Sequence, residues 1–437
     1  MPIKEKCYEK IVYVLLIALL LAGCNKSGAS TETIDPGFEA SQPTLSPTEP
    51  EDPDEILKYR RELVVAEMRR IMGTLWTPAE DITYYLKNPN EVSDEDNKVL
   101  VLQAGKIYQG VPYTHGSGSG YGFFSYATAQ DENGVYTISG LTGEHLTGES
   151  RDIAGSSARQ GNDCADAVYW SWARICTSVT FKYAAEMTPQ YGIIPVGDYV
   201  CNVSKFTTTT KPIVQENGEE VMFDAYSKMQ PGDAMVLYTK SAGGHAVMVV
   251  DVQISRTEDG KIDPGNSYAI IIEQNSAQQR NERSNYHEGL QTEVYICGEM
   301  DVPWSFTTLY SKGYLPVTCK ELIDPAPLKP QSASLSNPDA TIDNLFNASV
   351  ETSHRFAYVT VTIQNDAGIV QQATAYGRET DYYRFDMYAF KNDWEKNLIK
   401  GTLDLESLPA GQYKCTVTCR LATGNNFTVY EKDFTRA

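Results

Sequence analysis

Two segments near the C-terminus constrain the fold more than anything else in the chain. Ala357, Val359, Val361 and Ile363 alternate with Thr360 and Thr362, and Tyr413, Cys415, Val417, Cys419 and Leu421 repeat the same period of two. Side chains alternate faces along a strand, so each segment buries one face and leaves the other polar. The two are far apart in sequence, and a β-sandwich over 331–437 is the expected unit. The joint Pro325-Ala326-Pro327-Leu328-Lys329-Pro330 precedes it; proline at that density suits neither helix nor central strand. The chain has 437 residues, and at about 150 residues per domain there is room upstream for a larger unit, expected over 54–324.

The N-terminus carries a different signal. Lys4, Lys6 and Lys10 lead into an apolar run from Ile11 to Ala22, which is too short for a permanent membrane helix and suits a secretory signal over 1–23. Leu21-Ala22-Gly23-Cys24 resembles the bacterial lipoprotein box. The resemblance implies cleavage before Cys24 and diacylation of that cysteine. Two acyl chains, at about 0.8 kcal/mol per buried methylene, anchor where one would be marginal. Residues 24–53 are rich in Ser, Thr, Pro and acidic groups and cannot bury enough apolar surface to offset ordering, so a disordered tether is expected. The implied location is the bacterial cell envelope, with the folded domains outside the cytoplasm and the membrane contacted through the lipid.

Charge narrows the partners. Asp and Glu number 57 against 37 Lys and Arg, a net charge of −20. No nucleic acid is expected, since the phosphate backbone rewards basic clusters, and anionic lipid headgroups are disfavoured for the same reason. Nine cysteines are too sparse for a disulfide-built scaffold.

In the upstream unit, Asp52 followed by Pro53 and Glu55 forms a helix start. Leu57, Val64, Met68, Ile71 and Leu75 then recur at helical spacing before Gly73 and Pro78 mark the exit. A second helix is expected from about Glu95 to Tyr108, with Val99, Leu102 and Ile107 as its apolar side. Further on, Gly161 precedes Asn162 or Asp163 as a helix cap, and Cys164 falls in the first turn of a helix carrying Val168, Trp172 and Ile175. The positive end of a helix dipole favours the thiolate there. Met229-Gln230-Pro231-Gly232-Asp233 is a turn before a strand from Ala234 to Tyr238. His245 follows Gly243-Gly244 and leads the apolar strand Ala246 to Val250, a position in which an imidazole is held as a general base. A third strand, Tyr268 to Ile272, ends in Glu273-Gln274-Asn275, and period two puts Glu273 and Asn275 on one face. Glu273 is the candidate to orient the base. No C-x-x-C or H-x-x-x-H spacing supports a metal at Cys164, His245 and Glu273, and no metal or other cofactor is expected.

These segments resemble the NlpC-type cell-wall peptidases and the related CHAP amidases, papain-like cysteine hydrolases, over roughly residues 95 to 320. Gly110-Val111-Pro112-Tyr113 resembles the family's G-x-P-Y, Asp163-Cys164 its nucleophile turn, Pro231-Gly232-Asp233 its strand entry and Gly244-His245 its histidine strand; Glu273-x-Asn275 is closer to the CHAP pattern. The resemblance implies an α+β papain-like fold of helices on an antiparallel sheet. It also implies Cys164 as nucleophile, His245 as base, Glu273 as orienting group, and Tyr113 and Asn275 as oxyanion or supporting residues. Ala165 and Asp166 depart from the family's Ser-Gly. The long insert between Tyr113 and Cys164, with a hairpin turn expected at Asp131-Glu132-Asn133-Gly134 before a strand Val135 to Ile138, is expected to wall the cleft. The connection Thr177 to Gln230 is expected to do the same.

Gly411-Gln412-Tyr413-Lys414-Cys415 resembles the immunoglobulin strand with its tyrosine corner. The segment Phe356 to Ile363 lacks the partner cysteine, so Cys415 and Cys419 are expected as small core residues. The function expected is amide hydrolysis, most plausibly in peptidoglycan stem peptides or another peptide substrate. Two alternatives stay open: a binding or adhesion lipoprotein with an inactive hydrolase domain, and an amide-bond transferase. The oligomeric state is not legible.

Overall fold

The computed structural model describes residues 49–85, 99–114, 120–141, 161–179, 189, 192–201, 209–239, 243–275, 282–377, 383–392 and 399–437. The signal segment, Cys24 and most of the tether lie outside them. In chain order the upstream elements begin with α1 (Pro53–Gly73), β1 (Leu75–Pro78), β2 (Ile82–Tyr85), β3 (Val99–Leu102), β4 (Ile107–Gln109), α2 (Gly120–Phe124), β5 (Ala127–Gln130) and β6 (Tyr136–Ile138). They continue with α3 (Cys164–Trp172), β7 (Ile193–Pro195), α4 (Thr210–Ser227, broken at Gly218), β8 (Ala234–Thr239), β9 (Gly243–Gln253) and β10 (Tyr268–Gln274). β11 (Ser284–His287), β12 (Thr292–Ile296), β13 (Gly298–Ser305), α5 (Phe306–Lys312) and β14 (Leu315–Cys319) complete this part.

The start of α1 follows from its cap. Asp52 Oδ1 accepts the N–H groups of Asp54 at 2.9 Å and Glu55 at 3.2 Å, and Pro53 occupies the first turn, where its missing N–H costs nothing. Val64, Met68 and Ile71 are buried along one stripe. Leu75, expected on that stripe, instead opens β1, because the helix ends at Gly73.

The helix expected from Glu95 to Tyr108 is not there. Val99–Leu102 and Ile107–Gln109 are strands β3 and β4. Val99-Leu100-Val101-Leu102 is a continuous apolar run with valine at alternate positions, and Gly105 at φ +79 ends it in a turn. Pairing of β3 with β2, and of β4 with β1 and β12, supplies the backbone hydrogen bonds. Tertiary pairing overrides a weak helical spacing here. Residues 177–230, expected as a connection, carry β7 and α4. The hairpin at Asp131–Gly134 joins β5 to β6, with Gly134 N–H donating to Asp131 O at 3.0 Å.

Among the described residues, β13-β10-β9-β8-β14-β7 form an antiparallel sheet, and β11-β12-β4-β1-β6-β5 form a second, mixed sheet. α1 and α3 pack on the first sheet at β9, β10 and β13. Every residue of α3 is buried, as expected of a helix apolar all round. The turn before β8 ties these layers together. Trp172 Nε1 donates to Gly232 O at 2.8 Å, and Arg61 of α1 bonds Asp233 Oδ1 at 2.9 Å and Pro231 O at 2.9 Å.

The C-terminal elements are β15 (Ala333–Leu335), β16 (Ser349–Thr352), β17 (Phe356–Asn365), β18 (Gly368–Tyr376), β19 (Arg384–Asp386), α6 (Ala389–Asn392), β20 (Ile399–Thr402), β21 (Gly411–Leu421) and β22 (Asn426–Arg436). β15-β16-β19 and β20-β18-β17-β21-β22 form two sheets. Both contribute to one apolar core, Leu335, Val350 and Phe385 from one and Val359, Val361 and Val417 from the other. Cys415 and Cys419 sit in that core as free thiols. The two parts of the chain are in contact: Arg174 donates to Ala422 O at 2.6 Å, and Arg355 lies 4.4 Å over the rings of both Tyr169 and Trp170.

The Arg61–Asp233 pair is buried, with side chains 10% and 2% exposed. Arg61→Ala strands Asp233 without its cation and is expected to remove about 3–5 kcal/mol of stability in a denaturant titration. A loss below about 1 kcal/mol, the range of a surface pair, would contradict this assignment.

Candidate active site

The turn leading into Cys164 is assembled by backbone. Gly161 adopts φ +123, and a Cβ there would meet Pro112 O at 2.4 Å, so the close approach of the two chains requires glycine. Asn162 then pairs with the Pro112–Thr114 segment, its N–H donating to Pro112 O at 3.2 Å and its carbonyl accepting from Thr114 at 3.0 Å. Asp163 caps α3, and its Oδ1 accepts from Ala165 N at 2.8 Å and Asp166 N at 2.9 Å. Cys164 is thereby the first helical residue, and its sulfur lies at the positive end of the helix. The cap uses the second and third amides of the helix. Among the described residues, no backbone or cap hydrogen bond uses the Cys164 N–H.

His245 comes from the sheet. β8 and β9 pair so that His245 opposes Leu237. His245 Nε2 lies 2.6 Å from Glu273 Oε2, with the imidazole 21% exposed and the carboxylate 4%. Cys164 acts on the same ring by charge and by hydrogen bonding. Asn275 Nδ2 donates to the other oxygen of Glu273, Oε1, at 3.4 Å. Four of the residues singled out in the sequence, Cys164, His245, Glu273 and Asn275, therefore form one connected group. Tyr113 is half-buried, and its backbone bridges Asn162, two residues before the nucleophile.

Proton affinity at His245 is set by opposing effects. Burial, the largest single effect, lowers it. The charge and hydrogen bond of Cys164 and then those of Glu273 outweigh burial and raise the imidazole from 6.5 to about 10. Sulfur on one side and carboxylate on the other therefore favour the protonated form of the ring.

One further residue lies beside Glu273 and Cys164 and was not singled out from the sequence. Tyr314 follows Gly313, immediately before β14. It is buried, and its phenol is held well above its ordinary range by burial and by the charges of Glu273 and Cys164. Nothing in Lys312-Gly313-Tyr314 marks it beforehand. Gln274 points to the other side of β10, where its Nε2 donates to Val111 O at 2.5 Å and joins the strand to the Gly110–Tyr113 loop.

Comparison with known proteins adds little. No family model matches the chain, and no curated protein matches it. A solved structure of the tetra-tandem repeat in the extending region of a large adhesion protein is 14% identical, covering 82% of this chain and 67% of that one. Its TM-score is 0.16, a likeness that carries no argument.

The raised His245 value has a direct test. Because it exceeds the unfolded 6.5, its contribution to stability is complete below about pH 6.5 and is lost as pH rises through about 10. NMR titration of the His245 ring should give a midpoint well above 6.5, falling in Cys164→Ala. A wild-type midpoint at or below 6.5 would contradict the stated geometry.

Proposed function

We propose that this chain is a cysteine-dependent amide hydrolase of papain-like type, acting on peptidoglycan stem peptides. On this reading it is lipid-anchored through Cys24 in the bacterial envelope and carries an immunoglobulin-like module at its C-terminus. The observation that carries the proposal is His245 held between Glu273 and the sulfur of Cys164 at the start of a buried helix. A nucleophile, a base and a group that orients the base are the minimum set for acyl transfer through a thiol. The nucleophile helix packed on an antiparallel sheet supports the papain-like assignment. Tyr413 OH donating to Pro409 O at 2.9 Å supports the immunoglobulin-like one.

The chemistry follows from the placement. The Cys164 thiolate attacks the amide carbonyl carbon and forms a C–S bond. Negative charge develops on the carbonyl oxygen, and the Cys164 N–H at the helix end is positioned to stabilise it. The imidazolium of His245 gives its proton to the amine nitrogen as the C–N bond breaks. Neutral His245 then takes a proton from water, whose oxygen attacks the thioester and releases the acid and the thiolate. Glu273 holds the ring orientation and balances its positive charge throughout. Asn275 restrains Glu273. The insert between Tyr113 and Cys164 contributes α2, β5 and β6 among the described residues, and it is the candidate for substrate selection.

Incubating purified muropeptides with the protein and with Cys164→Ala, followed by mass analysis, tests the reading. Fragments gaining one water at an amide bond are expected with the unsubstituted chain only, and Glu273→Gln should slow their release by about tenfold or more. Intact muropeptides in every sample would sink the assignment.

A further inference from the structure

A second convergence of ionisable side chains lies away from the Cys164 pocket. Cys176 sits just beyond the end of α3, Cys319 is the last residue of β14, and Glu321 follows it. The Cys176 sulfur is 3.1 Å from Glu321 Oε2, and the two sulfurs and a carboxylate oxygen all lie within 4.8 Å of one another. Both thiols are free and buried, 7% and 0% exposed. The carboxylate is held in place by its other contacts. Oε1 accepts from Thr177 N at 3.0 Å and Ser178 N at 3.2 Å, and the Ser178 hydroxyl donates to Oε2 at 2.9 Å. Capping the 177–178 turn would need this carboxylate and no cysteine. A second buried sulfur, that of Cys319, within 4.8 Å of the same group calls for a different explanation.

A tetrahedral zinc-class ion has metal–sulfur bonds of about 2.3 Å and metal–oxygen bonds of about 2.0 Å, so its ligand atoms stand roughly 3.5 Å apart. At Cys176, Cys319 and Glu321 the sulfur–carboxylate pair of Cys176 and Glu321 stands at 3.1 Å and all three ligand atoms lie within 4.8 Å of one another, close enough for one ion to bridge them with small adjustments. We propose that these three residues form a binding site for a borderline-soft divalent cation of the zinc class, with two thiolates, one carboxylate and a fourth position taken by water. On binding, two metal–sulfur bonds form and the two S–H protons leave to solvent, so no oxidant or reductant is required. The fixed Glu321 contacts act as an outer shell that orients the carboxylate. The ion joins the exit of the nucleophile helix to β14. Tyr383 of the C-terminal part donates its hydroxyl to Thr177 O at 2.8 Å, so the same point also touches the sandwich. The role is structural, and it does not depend on the hydrolase reading.

The test uses the full chain carrying Cys164→Ala, which removes the thiol of the other pocket. The protein is kept reduced with a phosphine, stripped by a chelator and titrated with Co2+. A thiolate-to-cobalt charge-transfer band saturating at one equivalent is expected, displaced by Zn2+ and absent after further Cys176→Ser and Cys319→Ser changes. Zn2+ should also raise the thermal midpoint of the Cys164→Ala protein. Should the serine variants fail to fold, Glu321→Gln keeps both thiols and should weaken Co2+ binding by about tenfold or more. The proposal is overturned by no band at saturating Co2+, by a band that survives loss of both cysteines, by unchanged affinity in Glu321→Gln, or by a Cys176–Cys319 disulfide mapped in unreduced protein.

Discussion

One surplus residue in β9 decides which side chains meet at the candidate site. Along β9 and β10, Tyr268 opposes Gln253 and Ile270 opposes Asp251, yet Ile271 opposes Val249, leaving Val250 as a bulge. Beyond it Ile272 opposes Met248, and that register carried onward would set Val247 against Glu273 and His245 against Asn275. Without the bulge Glu273 would oppose Met248 and lie on the opposite face of the sheet from His245, since a slip of one residue exchanges faces. With it, Glu273 is a diagonal neighbour of His245, within reach of a side-chain contact. β13 shifts against β10 at the same level, between Ile271 and Glu273. There Asp301 takes a positive φ of 57 and pairs with Arg69 through bonds of 2.9 and 2.7 Å.

The third member of the group arrives by a separate route, from helix rather than sheet. Gly161 lets the chain before Cys164 lie against Pro112, Asp163 caps the helix, and Trp172 at its far end bonds the turn that starts β8. Sulfur and imidazole are thus positioned through elements that are themselves fastened to each other. The Arg61–Asp233 pair adds α1 to the same junction. Buried polar groups concentrate where layers must hold a fixed relation, and the contacts of Arg61 with Asp233 and of Trp172 with Gly232 are ones whose loss would strand a buried partner. The imidazole held against Glu273 is a similar contact placed where solvent can reach it.

Local chemistry explains which parts were legible in the sequence. The start of α1 was readable because Asp52, Pro53 and the following acids act on their own backbone. The β5–β6 turn and the long alternating strands β17 and β21 were readable for a similar reason, since each pattern is complete within a few residues. The stretch 95–108 misled because its apolar spacing fits either period and the deciding pairing comes from β1 and β12. The meeting of His245 and Glu273 needed a bulge that no residue type at Val250 announces. Tyr314 and the cluster of Cys176, Cys319 and Glu321 were invisible for the same physical reason: their neighbours are distant in sequence and are brought close only by the antiparallel sheet and the helix packed on it.

The central claim is that His245, held by Glu273, acts directly on the Cys164 sulfur. The most direct measurement is the rate of Cys164 alkylation by iodoacetamide at mildly acidic pH, followed by peptide mass analysis in wild type and in His245→Ala. Rapid alkylation in wild type, slowed by about tenfold or more in the variant, is expected if the imidazole acts on the sulfur. Equal rates in the two proteins would mean that the ring and the sulfur do not interact, and the account would be wrong.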